Sequence, residues 1–318
     1  MNNIVSINSD FDALHRPSLL IDLLGIPFPL PQGTNMAFAG IYYLVGFFAL
    51  IGLFTRPSLI VFGLLTIYIC DVYVSRGFFN HELSLTTQVM LILGLVPGST
   101  SLSVDRFIKW IRQKREMPLF NFLVDNPVPV WGLNLIFILL ACTYIAAGLS
   151  KVRYGGIEWL DGKTLTYYLD GSASPFTQPN DKPMYIGPPE VAEDKKWKDG
   201  FGIYSYSFGN RQKSEFRRNL AMSIASSETL MMGIATSTVI FELCGFFLLA
   251  AGWPRILYLF GAIAMHSTIG VLMNLPFYSY QALCLVLIDW KWLYYRLRLD
   301  ARFKMITWLP KRKLDVEV

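Results

Sequence analysis

The chain has 318 residues, of which 53% are hydrophobic and only 16% are charged, and its formal net charge is +5. A typical soluble domain carries about 25% charged residues, so soluble domains of this composition would lack the polar residues to cover their surfaces. The composition also excludes a disordered chain, a coiled coil, a nucleic-acid binder with a solvated basic face and a disulfide-stapled secreted domain. An integral membrane protein is the class that it favours.

Seven apolar stretches follow one another along the chain, and we interpret them as membrane-spanning helices because a span needs roughly 20 mostly apolar residues. The third is the shortest, and a proline-interrupted stretch at 18–31 is expected to lie in the membrane interface. Since a bilayer accepts only helices or closed barrels and no stretch alternates like a strand, the fold class is an all-α polytopic membrane bundle of about seven helices. The predicted spans are 34–54, 58–75, 82–97, 130–150, 229–253, 255–274 and 277–295.

Basic residues predict the orientation of this bundle. They concentrate in the linker 100–129 and after Trp290, and four predicted spans separate these two regions, which places both on one side. The positive-inside rule makes that side cytoplasmic, so the N-terminus lies outside and the C-terminus inside. We expect a bacterial inner-membrane protein with an interfacial segment at 1–33, a membrane core at 34–169 and 228–295, an extracytoplasmic loop insertion at 170–227 and a basic cytoplasmic tail at 296–318.

Five polar side chains near or inside the spans are candidate functional residues, because ionisable groups in a bilayer are costly. Lys151 ends the fourth span and is either a snorkelling anchor or a partly buried amine that acts as a base. Asn80 and His81 open the third span, as an interfacial turn or as a hydrogen-bonding pair at a cavity mouth. His266 is either satisfied by a neighbouring helix or part of a site. Glu242 is a paired carboxyl, a proton-relay group or the partner of a catalytic cation.

The predicted topology brings four of these residues to the outer leaflet. The spans that carry Lys151 and His266 both run outward, and the span that begins after Asn80 and His81 starts outside. An amine, two imidazoles and an amide in one outer cavity would suit proton transfer on a lipid-soluble or outward-facing substrate. A metal site is not expected, since the chain has only three His and no CxxC spacing.

Several short blocks in the same regions resemble the horizontally transferred transmembrane (HTTM) family, which includes the membrane core of the vitamin K-dependent γ-carboxylase. They come in the family's order and cover most of 18–290. The blocks are FNHELSL at 79–85, SVDR at 103–106, MPLFNF at 117–122, AGLSK at 147–151 with WLDG at 159–162, FELCGFFLL at 241–249 and MHSTIGVLMNLPFYSY at 265–280.

The resemblance implies a specific chemistry. In the carboxylase a lysine deprotonates reduced vitamin K, oxygen converts the quinol into a strong base, and that base removes a γ-proton from a glutamate to which carbon dioxide adds. Matching positions make Lys151 the quinol base, place Asn80 and His81 beside the quinone or the carboxylation centre, and make His266 a further active-site imidazole. A reduced quinone is the implied cofactor. The loop 170–227 has no clear counterpart in the family, and no segment resembles the carboxylase's lumenal domain.

Three functions are therefore compared. The first is a membrane enzyme of the HTTM type that removes a proton from a quinol and oxidises it, with carboxylation among the implied reactions. The second is a non-catalytic multi-pass subunit, or a maturation factor for a secreted peptide or membrane complex, which binds through 170–227. The third is a transporter with Glu242 and His266 as a proton relay, which the absence of internal repeats disfavours. Membrane lipids are partners in all three, and nucleic acid in none.

Overall fold

In a computed structural model, the chain is described at residues 19–28, 30–31, 33–75, 81–98, 101–113, 118–119, 122, 129–170, 212–275 and 277–297. Throughout these ranges the regular structure is helical and contains no strand. Four segments are long and apolar enough to cross a bilayer: Thr55–Val72, Val130–Arg153, Glu228–Leu249 and Trp253–Met273. The all-helical class is confirmed, and these helices indicate an integral membrane protein.

The helices are numbered here in chain order, with two 3-10 segments at Ile157–Asp161 and Cys244–Leu249. The α-helices are α1 (Leu19–Leu23), α2 (Asn35–Ile51), α3 (Thr55–Ser75), α4 (His81–Leu95), α5 (Val104–Arg112), α6 (Val130–Gly155), α7 (Lys163–Asp170), α8 (Glu215–Ala225), α9 (Glu228–Leu243), α10 (Trp253–Met273), α11 (Tyr278–Leu287) and α12 (Trp290–Arg296).

Every predicted span contains a helix, but three of these helices are shorter than a full crossing: α2, α4 and α11. The predicted span 277–295 is divided, because α11 ends at Leu287 and a new helix begins after Asp289. The Asp289 carboxylate accepts a hydrogen bond from the Trp292 backbone N–H at 2.9 Å, as an N-cap does. Hydropathy alone did not predict this break, because apolar residues lie on both sides of Asp289.

The main hydrophobic core surrounds α6, which contacts α4 on one side and α9 with the following 3-10 segment on the other. Its fully buried members include Val96 after α4, Leu140 of α6, Leu248 of the 3-10 segment, Leu259 of α10 and Cys284 of α11. Small residues permit close approach: a Cβ added to Gly245 would lie 2.9 Å from the Ala141 carbonyl oxygen. Such contacts between small residues are common where membrane helices pack.

The two ends of the bundle differ in structure. At the Gly52 end, where α2 turns into α3 and where α6 and α10 begin, Arg56 donates to the Gly94 carbonyl at 3.1 Å and Arg255 to the Leu248 carbonyl at 2.8 Å. At the Lys151 end, where α6 and α10 finish, α7 and α8 pack over α9 and α10 around a second, smaller core. The stretch 170–227, which we expected to be a loop insertion, therefore contributes the helix at 215–225, and residues 171–211 lie outside the described ranges.

Candidate functional site

A salt bridge between Lys151 on α6 and Glu242 on α9 lies at the centre of the candidate site. The Lys151 Nζ donates to both Glu242 carboxylate oxygens, each at 2.7 Å. Gly148, one turn before the lysine, permits this approach, because a Cβ there would lie 3.1 Å from the Glu242 Cβ. The small residue in the AGLSK block therefore has a geometric reason: it lets α9 come close enough for the carboxylate to reach the amine.

The two partners differ in exposure. The Glu242 side chain is 8% exposed and the Lys151 side chain 25% exposed. A buried carboxylate needs a partner, because an unpaired charge in an apolar environment is strongly disfavoured. Lys151 supplies that partner, and a quarter of its own side-chain surface stays exposed.

An aromatic ring covers another side of the amine. Trp159, in the 3-10 segment after α6, places its ring centroid 5.4 Å from the Lys151 Nζ, within the range of a cation–π contact. Glycines allow the chain to fold back here. A Cβ on Gly155 would lie 2.8 Å from the Trp159 ring, and Gly162 has φ +79° with its Cα against the Met231 backbone.

A second buried pair lies deeper in the bundle. The Tyr144 hydroxyl on α6 and the His266 Nε2 on α10 are 2.9 Å apart. His266 is 7% exposed and packs against the rings of Phe277 and Tyr280. Its Nδ1 is buried and has no hydrogen-bond partner within the described part of the chain. One imidazole nitrogen is thus fixed by Tyr144, and the other remains available.

The two pairs occupy one face of α6. Tyr144 and Lys151 are seven residues, or two turns, apart, which corresponds to about 10 Å along the helix. Next to Tyr144, the rings of Phe241 and Tyr258 stack with their centroids 4.4 Å apart, and both meet the Tyr144 ring edge-on. The sequence predicted Lys151 and His266 in one cavity; in the structure Lys151 pairs with Glu242 on α9 and His266 pairs with Tyr144 on α6.

The other two predicted residues, Asn80 and His81, are at most partly described. Asn80 lies outside the described residues, and of His81 only its position at the start of α4 is described. Tyr144 was not predicted, since a tyrosine inside an apolar run is indistinguishable from ordinary core. Asp71 near the end of α3 was not predicted either, and its Oδ2 is buried without a hydrogen-bond partner among the described residues. An acidic residue inside a predicted span was the signal that would have identified Asp71.

Within the described ranges, no group of three or more His, Cys, Asp or Glu side chains is arranged to hold a metal ion. The amine–carboxylate pair and the tyrosine–imidazole pair are instead arrangements that can hold and move protons. Comparisons of the chain with protein-family models, curated proteins and solved structures find no match.

Proposed function

We propose that this protein is a membrane enzyme of the HTTM type, in which Lys151 removes a proton from the hydroxyl group of a reduced quinone or a similar lipid-soluble compound. The observation that carries the proposal is the Lys151–Glu242 pair, a nearly buried carboxylate that holds a partly accessible amine. Ionisable groups at such positions are costly and are usually retained for function.

The pair offers a route to a neutral base. Transfer of one proton from Nζ to a Glu242 oxygen across 2.7 Å gives an uncharged amine beside a protonated carboxyl. Burial reduces the penalty for that transfer, because a low-dielectric site disfavours separated charges. The neutral Lys151 amine then accepts the proton of a bound quinol hydroxyl and becomes an ammonium, which the Trp159 ring and the quinolate anion stabilise while Glu242 keeps the proton that it received.

His266 has a separate role in this proposal. Tyr144 fixes its Nε2, so its unpartnered Nδ1 is free to hydrogen-bond an oxygen of the bound substrate. His81 and Asn80 would lie beside the same substrate, as the family resemblance implies. Molecular oxygen would then oxidise the deprotonated quinol, as the family resemblance implies, and the base formed in that reaction would remove a proton from an acceptor to which carbon dioxide adds.

We further propose that the bundle crosses a bacterial inner membrane seven times, with the N-terminus outside and the C-terminus inside. The four long apolar helices, together with α2, α4 and α11, supply the crossings. Support comes from the Gly52 end, where Arg56, Lys109, Arg112 and Arg255 lie on or next to the turns and short helices. The Lys151 end would then face the extracytoplasmic side.

The proposal is tested by incubating the full chain in lipid nanodiscs with menaquinol, a vitamin K-type naphthohydroquinone, and molecular oxygen as the oxidant. We expect quinone or quinone epoxide to form above the non-enzymatic background, and Lys151→Met to reduce the rate to that background. Lys163→Met is the matched control, since Lys163 lies at the same end with its side chain 69% exposed. Product formation by folded Lys151→Met at the native rate, or no product from the native chain, would overturn the proposal.

The non-catalytic subunit remains the alternative, because a Lys–Glu pair at a helix contact also serves structure alone. Two results together would favour the subunit over the enzyme. A membrane protein or secreted peptide would co-purify equally with the native chain and with Lys151→Met, and neither protein would oxidise quinol.

A further inference from the structure

The short helix α5 has one apolar face that points away from the bundle. Val104, Phe107, Ile108 and Ile111 follow the i, i+3, i+4, i+7 pattern of a single helical stripe. Phe107, Ile108 and Ile111 are exposed large hydrophobic residues, and Trp110 stacks on Phe107 with ring centroids 6.0 Å apart. In water such a stripe would be unfavourable, whereas at a membrane surface it is the expected arrangement.

Hydrogen bonds fix α5 to the turn between α2 and α3. The Asp105 carboxylate accepts from the backbone N–H of Phe54 at 2.9 Å and of Thr55 at 2.7 Å. Its own N–H donates to the Gly52 carbonyl at 3.0 Å. The contact leaves no room for a larger residue, since a Cβ on Gly52 would lie 2.4 Å from the Ser103 Cβ. These contacts therefore fix the position of the apolar stripe relative to the turn between α2 and α3, at the Gly52 end of the bundle.

Two apolar residues beside this attachment adopt left-handed backbone conformations. Phe54 has φ 47° and is 64% exposed, and Leu102 has φ 52° and is 69% exposed. Non-glycine residues rarely adopt this conformation. Here it directs two large apolar side chains away from the bundle. Leu50 of α2 and Leu95 of α4 are exposed at the same end, so the apolar surface continues from α5 to the lipid-facing helices.

Two cations lie on α5 outside the apolar stripe, Arg112 beside it and Lys109 on the opposite, polar face. Lys109 and Arg112 are one turn apart on α5, both are exposed, and neither has a salt-bridge partner among the described residues. Arg106 differs from them because its guanidinium donates to the Phe122 carbonyl. Side chains of this kind bury their stems along apolar surface and leave the charged group at the level of the lipid headgroups.

We propose that α5, with Phe54 and Leu102, is an interfacial docking surface for anionic phospholipid, whose phosphate groups are bound by Lys109 and Arg112 and whose acyl chains cover the apolar stripe. The occupant follows from charge complementarity and from continuity with the lipid-facing helices. A soluble anion would satisfy the two cations and leave the stripe uncovered, and a neutral lipid would cover the stripe and leave the cations unpaired. The inference does not depend on the chemistry at Lys151.

Fluorescence quenching of Trp110 in reconstituted bilayers tests this surface. The full chain is placed in mixtures of phosphatidylcholine and phosphatidylglycerol in which one component or the other carries brominated acyl chains. The Trp110 signal is the difference between the native chain and Trp110→Phe. We expect stronger quenching by brominated phosphatidylglycerol, with the anionic lipid enriched about fivefold for each cation, the equivalent of about 1 kcal/mol.

A charge-matched pair of variants supplies the control. Lys109→Gln/Arg112→Gln should make the two lipids quench Trp110 equally, and Arg217→Gln/Arg218→Gln, which removes two exposed cations from α8, should leave the preference intact. Absence of quenching by either lipid would overturn the location of α5 at the acyl boundary. Equal quenching in the native chain, or loss of the preference in the α8 variant as well, would overturn specific binding by Lys109 and Arg112.

Discussion

The Glu242 carboxylate binds the Lys151 ammonium through both of its oxygens, at 2.7 Å each. This contact joins α6 to α9 across 91 positions of sequence. It is also one of only two salt bridges recorded in the described part of the chain, and the other, between Lys163 and Asp161, lies on the surface. Among the described residues, this ion pair inside the bundle therefore lies where Gly148 lets α6 and α9 approach each other.

Removal of one member of this pair should destabilise the protein more than removal of both. Lys151→Met or Glu242→Leu leaves an uncompensated charge, for which we expect a loss of about 3 kcal/mol in the free energy of unfolding. The double variant replaces the pair by apolar side chains and should recover most of that loss. Unfolding in mixed bicelles measures all four proteins. If the losses in unfolding free energy of the two single variants simply add in the double variant, the two side chains do not interact.

The double variant also separates stability from function. If it is as stable as the native chain, it provides a folded protein without the Lys151 amine, and the quinol assay can then be read without concern for misfolding. A stable double variant that still oxidises menaquinol would exclude Lys151 as the base.

Tyr144 should control the state of the His266 ring. Tyr144→Phe removes the hydroxyl that pairs with Nε2, which should cost about 1 kcal/mol in stability and shift the His266 ring nitrogen resonances. The chain has three histidines, so spectra of protein labelled with ¹⁵N at histidine are simple, and His266→Gln identifies the relevant signals.

Tyr258→Phe is the control for this experiment. Tyr258 belongs to the same aromatic group, but its hydroxyl donates to the Phe241 carbonyl at 3.1 Å and not to the imidazole. Its removal should leave the His266 resonances in place. Equal shifts in both variants would mean that the ring senses general repacking and not the Tyr144 hydroxyl.

The sequence predicted the helices well and their pairing poorly, for a physical reason. Hydropathy records how apolar a segment is, and that property located α3, α6, α9 and α10 because a bilayer crossing demands it. The sequence also identified Lys151 and Glu242 individually, since charge is rare in such segments. Their partnership depends on how α6 and α9 cross at Gly148, which the composition of neither helix specifies.

The sequence also did not predict interaction partners whose residue types are common in such segments. Tyr144 is one of 16 tyrosines, and only the crossing of α6 with α10 distinguishes it. Likewise, the SVDR block was noted for a family resemblance, whereas Ser103 and Asp105 cap and attach α5. The structural role of this short polar motif becomes evident only when the turn that it contacts, 50 residues away, is known.

Gly162 should be required for the fold-back that brings Trp159 to Lys151. Gly162→Ala forces a side chain into φ +79° and places its Cβ 2.6 Å from the Met231 carbonyl carbon, so we expect at least 1–2 kcal/mol of destabilisation. Gly233→Ala is the control, because this glycine lies inside α9 with nothing within 4 Å of an added Cβ. That variant should be neutral or stabilised by up to about 1 kcal/mol. Equal unfolding free energies for the two variants would contradict the packing of the turn against α9.

The two ends of the bundle should lie on opposite sides of the membrane, with the Lys151 end outside. Ser214→Cys and Ser101→Cys introduce thiols at exposed positions, the first before α8 at the Lys151 end and the second before α5 at the Gly52 end. A charged maleimide should label Ser214→Cys in intact spheroplasts and Ser101→Cys only after permeabilisation, because the cations near Ser101 favour the cytoplasmic side. The chain without an added thiol gives the background, and its four cysteines all lie in apolar helical segments that a charged reagent reaches poorly. The reverse labelling pattern would put the Lys151 amine on the cytoplasmic side, and labelling of both positions in intact spheroplasts would contradict a membrane between the two ends.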